Sequence, residues 1–286
     1  MIKNYALEPM LYEECLSLVD ECFPGIKCVA DKGKLYNAHW DNVSTPFVYY
    51  VNNELVGHLG LIPFKLIINN QEYTGAALHG ICVKEKFRCK GIFTELMNEA
   101  LLHIKGNYNF SFLFADQANL YEPFGFKRID EYDFLVENLN NSDSIHAVRT
   151  LDLDNKFDLQ IMHDLLSKRL PISNRFGMVN ETVVFTLNTL SAPIYYSDKN
   201  QLLISYDIKD DVLYIKDIVF TKHIDLKNII SCIPERFSKV ILQFYPDNFK
   251  NLTFKPVKTD PEDFIMVSEY FNLGALPFRY PETERC

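Results

Sequence analysis

The stretch from residue 72 to residue 104 constrains this chain most. A β-rich run at 72–83 passes into a basic loop, Lys84-Glu-Lys-Phe-Arg-Cys-Lys90, then Gly91. After it comes a helix pattern whose Ile92, Leu96, Ala100 and Phe93, Met97, Leu101, Ile104 share one broad apolar face. A helix leaving a strand in this way lays that face on the sheet the strand belongs to, which predicts an α/β (α+β) fold with a mixed sheet. Two β-rich runs precede it, at 46–51 and 54–68, and the connections are Asn52-Asn53 and Asn69-Asn70. Asparagine tolerates the positive φ that a two-residue hairpin requires, so an antiparallel meander is predicted. Upstream, Leu11, Cys15, Leu18 and Val19 have helical spacing, and Phe23-Pro24-Gly25 ends that helix. Downstream, Phe110-Ser-Phe-Leu-Phe-Ala115 reads as a short buried strand, residues 119–124 as a helical turn, and residues 132–136 as the last strand of this half.

At 286 residues the chain is roughly twice the ~150 of an ordinary domain. The polar stretch Asn-Leu-Asn-Asn-Ser-Asp at 138–143 lies near its middle and is the natural linker, so two domains are expected, 1–140 and 148–286. Beyond the linker the element order recurs: helices at 158–170 and 180–190, strands at 193–196, 201–208 and 212–220, a helix at 225–233 and a strand at 239–244. The junction at 220–225 carries neither glycine nor arginine. The second half therefore reads as the same architecture without the basic loop.

A net charge of −9 repels phosphate backbones and disfavours nucleic acid as a partner. The longest apolar stretch, 59–68, is interrupted by Pro63 and Lys65 and is far shorter than the ~20 residues that span a bilayer, so no membrane partner is expected. Seven irregularly spaced cysteines without a C-x-x-C pair suit a reducing cytoplasm, and Cys22, Cys28 and His39 make no metal site by spacing.

Within residues 1–140 there are 12 basic and 18 acidic side chains, yet the loop 84–90 holds four basic groups against Glu85 alone. A positive loop ahead of a helix N-terminus combines side-chain charge with free backbone N–H groups and the positive end of the helix dipole. Gly91 permits the close backbone approach that a side chain would hinder. These features together describe a diphosphate site.

The wider stretch 79–101, HGICVKEKFRCKGIFTELMNEAL, resembles motif A of the GCN5-related N-acetyltransferase (GNAT) superfamily, in which a strand is followed by R/Q-x-x-G-x-G/A. Arg88-Cys-Lys-Gly91-Ile-Phe93 departs from it at the last position, where Phe93 replaces a small residue and would crowd the loop. A bulky residue there is similar to the enhanced intracellular survival branch, in which a second acetyltransferase-like domain follows the first. Leu120-Tyr121-Glu-Pro-Phe124-Gly125-Phe126 resembles the family's second signature, a tyrosine four residues before Gly-Phe.

The resemblance implies a GNAT fold, a second, degenerate GNAT-like domain, and acetyl-CoA as the acyl donor to a small-molecule or peptide amine. By the family pattern, Ile81, Cys82 and Val83 offer backbone groups to the pantetheine arm. Arg88, Cys89, Lys90, Gly91, Ile92 and Phe93 hold the diphosphate. Tyr121, with a reference pKa of ~10 against ~8.5 for a thiol, is the candidate general acid at the departing sulfur. His79, two residues before Ile81, and Asp116, at the end of the next strand, are alternative proton acceptors for the attacking ammonium. In the resembled branch a third domain brings the terminal carboxylate to the site, which leaves Cys286 a candidate without that support. The segment 23–42, with Tyr36, His39 and Trp40, is expected to border the acceptor. A non-catalytic acyl-CoA-binding or protein-interaction module on the same fold is the competing reading.

Overall fold

A computed structural model describes residues 3–137, 147–179, 181–250, 252–269, 271, 273–274 and 277–286. The linker expected at 138–143 lies outside the described residues. Asn52, Asn53, Asn69 and Asn70 adopt φ of 49°, 65°, 50° and 64°, so both Asn-Asn pairs make the positive-φ turns of an antiparallel meander. The first half runs α1 (Pro9–Cys22), α2 (Ile26–Leu35), a single turn α3 (Trp40–Val43), β1 (Thr45–Val51), β2 (Glu54–Ile68), β3 (Gln71–Val83), α4 (Ile92–Ile104), β4 (Phe110–Ala115), β5 (Lys127–Arg128) and β6 (Tyr132–Val136). The second runs β7 (Arg149–Thr150), α5 (Lys156–Ser167), β8 (Phe176–Val179), α6 (Val183–Thr189), β9 (Tyr195–Ser197), β10 (Leu202–Lys209), β11 (Val212–Phe220), α7 (Leu226–Ile230), β12 (Lys239–Leu242), β13 (Phe254–Lys258) and β14 (Phe264–Val267). Among the described residues no helix is long and apolar enough to cross a membrane.

Two mixed sheets result, and they share a plan. In each, an antiparallel meander ends in a strand that crosses through a helix to a parallel neighbour: β3 to β4 through α4, and β11 to β12 through α7. In each, the strand beyond that parallel neighbour comes from the other half. The first sheet has the order β1-β2-β3-β4-β14-β5, with β8 also paired to β2; the second has the order β13-β6-β12-β11-β10-β9-β7. The strand at 132–136 therefore forms as its sequence predicts but belongs to the second sheet, where it pairs with β12 and β13. Its place beside β4 is taken by β14, whose four residues are all buried. Alternation in a short strand marks which face is apolar and carries no information on which sheet receives it.

The first sheet has a core on each face. One face packs α1, β8, Ile265, Val267 and the C-terminal Phe278 and Tyr280; the other packs α4, Phe126, Phe264 and Met266. The tail that carries Tyr280 is tied to both halves. Tyr280 N–H and Arg285 bond the buried Glu131 carboxylate at 2.8–2.9 Å, while Glu284 shares the buried Arg169 guanidinium with Asp217 at 2.8 Å each.

The expected helical stop at Phe23-Pro24-Gly25 is followed at once by α2, which sequence periodicity misses. The reason is that α2 buries Ala30 and Gly33 rather than large apolar groups. At Gly33 a Cβ would press on the Leu187 side chain of α6 and lie 3.1 Å from the Ala38 carbonyl, so α2 and α6 pack closely there.

Candidate active site

The parallel ladder between β3 and β4 runs from Gly75–Phe110 to Leu78–Leu113 and ends. Beyond it β3 continues to Val83 paired with β2 alone, and β4 pairs with β14 on its other side. From this point the two strands no longer pair. Gly80, at φ +55°, sits in the irregularity where the β2–β3 register slips between His58 and Gly60, and such a bulge bends a strand away from its neighbour. Ile81, Cys82 and Val83 thus border a slot with no strand across it among the described residues.

At the mouth of the slot the chain turns through a 3₁₀ turn at Glu85–Phe87 into α4. Gly91 precedes α4 at φ +84°, and no side chain caps this N-terminus, so its leading N–H groups have no side-chain acceptor. A Cβ built on Gly91 would meet nothing within 4 Å, so the backbone there is open to approach. Cys89 also has positive φ, 60°. The loop's charge divides in two. Lys84 and Lys86 pair with Glu54 at 2.9 and 3.0 Å, whereas Arg88 and Lys90 make no ion pair among the described residues. Arg88 Nε donates to Val83 O and Lys90 Nζ to Lys86 O, both at 3.0 Å, and Lys90 Nζ also lies over the Phe87 ring. Two unpaired cations, an uncapped helix and an open glycine fit a diphosphate.

Ile92 is buried in the α4-side core, which leaves only its backbone to the loop. Phe93 does not crowd the loop as expected. Its ring turns inward and meets the rings of Tyr121 and Phe124 edge-on at 5.7 and 5.6 Å, because the pattern of α4 places it on the apolar face. It becomes a wall for Tyr121. Two 3₁₀ turns, Ala118–Leu120 and Glu122–Phe124, flank Tyr121, and Gly125 closes the second at φ +86°. Burial, and secondarily the charge of Asp116, pushes the Tyr121 hydroxyl up to about 12. It therefore stays protonated throughout the neutral range. Asp116 itself is exposed at the end of β4.

His79 departs from the orientation expected of a proton acceptor in the slot. Its imidazole lies over Gly60, where a Cβ would come within 2.2 Å of Nε2, and so reaches across β2 away from β4. There Nε2 accepts from Trp40 Nε1–H at 3.3 Å and lies 2.8 Å from the Ser44 hydroxyl. Its single lone pair is occupied. Trp40 is itself a core residue, packed on His79 and His58. Tyr36 turns to Asp154 at 2.9 Å, which joins the two halves. Cys286 is half-buried, with Glu181 and Glu284 near its thiol.

Sequence reasoning missed His58, which is fully buried. Its Nδ1–H donates to the Gly80 carbonyl at 2.8 Å and its Nε2 accepts from the Tyr5 hydroxyl at 3.2 Å, so it fixes the bulge that opens the slot. The only sequence signal is its setting between Gly57 and Gly60. Burial pushes His58 down to about 4 and His79 to about 3. Each is neutral when folded and binds a proton on unfolding below about pH 6.5, so the stability they carry is full above that pH and is lost as pH falls toward 4. A group in this window contributes about 1.4 kcal/mol per pH unit. Urea midpoints between pH 7 and pH 5 should fall more steeply for the wild type than for His58→Gln, whose amide makes both hydrogen bonds without titrating. Equal slopes would remove this role.

Comparison with known proteins adds three findings. Residues 6–129 match the family described as an acetyltransferase (GNAT) domain. No curated protein sequence matches the chain. Among solved structures, a probable N-acyltransferase from Enterococcus faecalis V583 superposes with a TM-score of 0.59 at 13% identity, over 89% of this chain and 69% of that one. Eis1 from Mycobacterium abscessus gives 0.58 at 13%, over 93% and 72%. A GCN5-related N-acetyltransferase from Anabaena variabilis ATCC 29413 gives 0.55 at 15%, again over 93% and 72%. At such identities the likeness speaks for the fold, and it extends over both halves.

Proposed function

On the premise that residues 6–129 are a GNAT acetyltransferase domain, we propose that this acyltransferase moves an acetyl group from acetyl-CoA to a primary amine by direct attack within a ternary complex. The observation that carries the reading is that the β3–β4 ladder ends at Leu78–Leu113 and β3 then leads into the uncapped, glycine-led N-terminus of α4. Bound acetyl-CoA would supply the activated thioester.

The chain's own residues then have separate tasks. Arg88, Lys90 and the backbone of residues 89–93 hold the diphosphate, and the β3 backbone at Ile81, Cys82 and Val83 lines the pantetheine slot and orients the carbonyl. The Tyr121 hydroxyl, on a ring held edge-on by Phe93 and Phe126, gives a hydrogen bond and then a proton to the departing sulfur. With His79 engaged by Trp40 and Ser44, Asp116 is the carboxylate left to take the ammonium proton, directly or through water. The second half shapes the acceptor side and carries no diphosphate loop of its own, since 220–225 lacks glycine and arginine.

A panel of aminoglycosides, polyamines, amino acids and peptide amines with acetyl-CoA, followed by thiol release, tests the reading. Tight CoA binding without turnover on any amine would replace it with a binding module. In calorimetry, wild type should take up one CoA per chain, and Arg88→Ala should weaken it by about 1–3 kcal/mol, the range for losing a charge-assisted contact. Unchanged affinity would move the diphosphate elsewhere.

A further inference from the structure

One carboxylate from another strand answers half the positive charge of the loop between β3 and α4. Glu54, the first residue of β2, follows the positive-φ turn at Asn52-Asn53 and reaches across to the chain that leaves β3. Its Oε1 accepts from Lys84 Nζ at 2.9 Å and its Oε2 from Lys86 Nζ at 3.1 Å. Lys84, and then Lys86, hold the Glu54 carboxyl below its usual range, so it is ionised at neutral pH. The path of the loop does not depend on it. Lys84 N–H donates to Val56 O at 2.9 Å, and Phe87 and Arg88 N–H close the turn onto Lys84 O and Glu85 O at 2.9 and 3.1 Å. Glu54 therefore acts on the loop through charge. That charge lies close to the anion-facing cations, because Lys86 and Lys90 Nζ both stand over the Phe87 ring, at 5.0 and 5.1 Å from its centre.

Four free cations ahead of a glycine-led helix would attract any polyphosphate, a nucleoside triphosphate as readily as the diphosphate of CoA. The attraction grows with the charge of the ligand. Each unit of positive charge cancelled in the site thus weakens a triphosphate about twice as much, in free energy, as a diphosphate of half its charge. Resting on the diphosphate reading of this loop, we propose that Glu54 is a specificity-determining residue: by cancelling charge at Lys84 and Lys86 it keeps the loop selective for the diphosphate of CoA against nucleoside triphosphates. Arg88 and Lys90, which make no ion pair among the described residues, are the cations left to meet the ligand. Selectivity of this kind is a difference between two affinities, made by withholding attraction from the more highly charged competitor.

The test is calorimetry on the full chain at low ionic strength and without magnesium, with dephospho-CoA and ATP as the two ligands. Removing one negative charge at ~8 Å in water strengthens the interaction of each ligand charge roughly 2-fold. Glu54→Gln should therefore tighten dephospho-CoA roughly 5-fold and ATP roughly 25-fold, which moves the preference about 5-fold toward ATP. Glu54→Asp keeps the charge and should keep the wild-type preference. Both ligands are measured on one preparation, so any unfolded fraction cancels from their ratio. A purely structural role would weaken both ligands alike in both variants, and that result, or an unchanged ratio in Glu54→Gln, would overturn the proposal. Arg88→Ala separates the two levels of the argument. If it weakens dephospho-CoA while the Glu54→Gln ratio stays at the wild-type value, the diphosphate site stands and the role of Glu54 falls; if it changes neither ligand, both fall together.

Discussion

A chain ending at residue 140 is expected to be insoluble and without acetyl-transfer activity. The first sheet takes β14 between β4 and β5 and β8 beside β2, and both strands lie beyond that end. Its α1-side core also loses Phe271 and Tyr280, which meet the rings of Phe110, Phe112 and Phe114, and Phe176 and Phe278, which pack on those two. With Ile265 and Met266 that makes six large buried side chains, each stabilising by about 1.5–3 kcal/mol. The total, on the order of 10 kcal/mol, equals the whole stability of a typical domain. The edges of β2 and β4 would also be left open to intermolecular pairing. Sedimentation, circular dichroism and thiol release on the fragment check this, with co-expressed 148–286 expected to restore solubility. A soluble, cooperatively folding and active fragment would show that the donated strands are dispensable.

The other large effect is expected from Tyr121→Phe, which should lower kcat by ~10²–10⁴ and leave CoA affinity nearly unchanged. Phenylalanine preserves the edge contacts with Phe93 and Phe126 and removes only the hydroxyl. Because burial holds that hydroxyl protonated up to about pH 12, loss of activity on the alkaline side should begin well above the ~10 of a free tyrosine. Steady-state kinetics over a pH series decide the matter. Near-normal turnover of the variant at every pH would leave Tyr121 a packing residue.

The meander and the loop were legible because local chemistry dictates them. Asparagine pairs make their own turns, and a glycine after a basic run marks a helix start wherever the chain goes next. The strand exchange was not legible in Tyr132–Val136 or Phe264–Val267, since each is a short apolar run whose sheet is decided by distant partners. Phe254–Lys258 is masked further by Pro256, tolerable only on the edge strand it forms. The same limit governs the site. That His79 lies on a strand could be read; that it turns across Gly60 depends on a bulge fixed by His58 from another strand.

The reciprocal exchange of β6 and β14 also sets an order of events while the chain is being made. β4 is complete once residue 115 has been added, but the strand that covers its edge starts at residue 264. At 5–20 residues per second the intervening synthesis lasts roughly 7–30 s, much longer than hairpin formation or collapse. The first sheet therefore emerges with an open edge and waits, while β6 waits in turn for β12. Every strand of the second sheet has been made by residue 258, so the first half, though synthesised first, is the one whose sheet closes last.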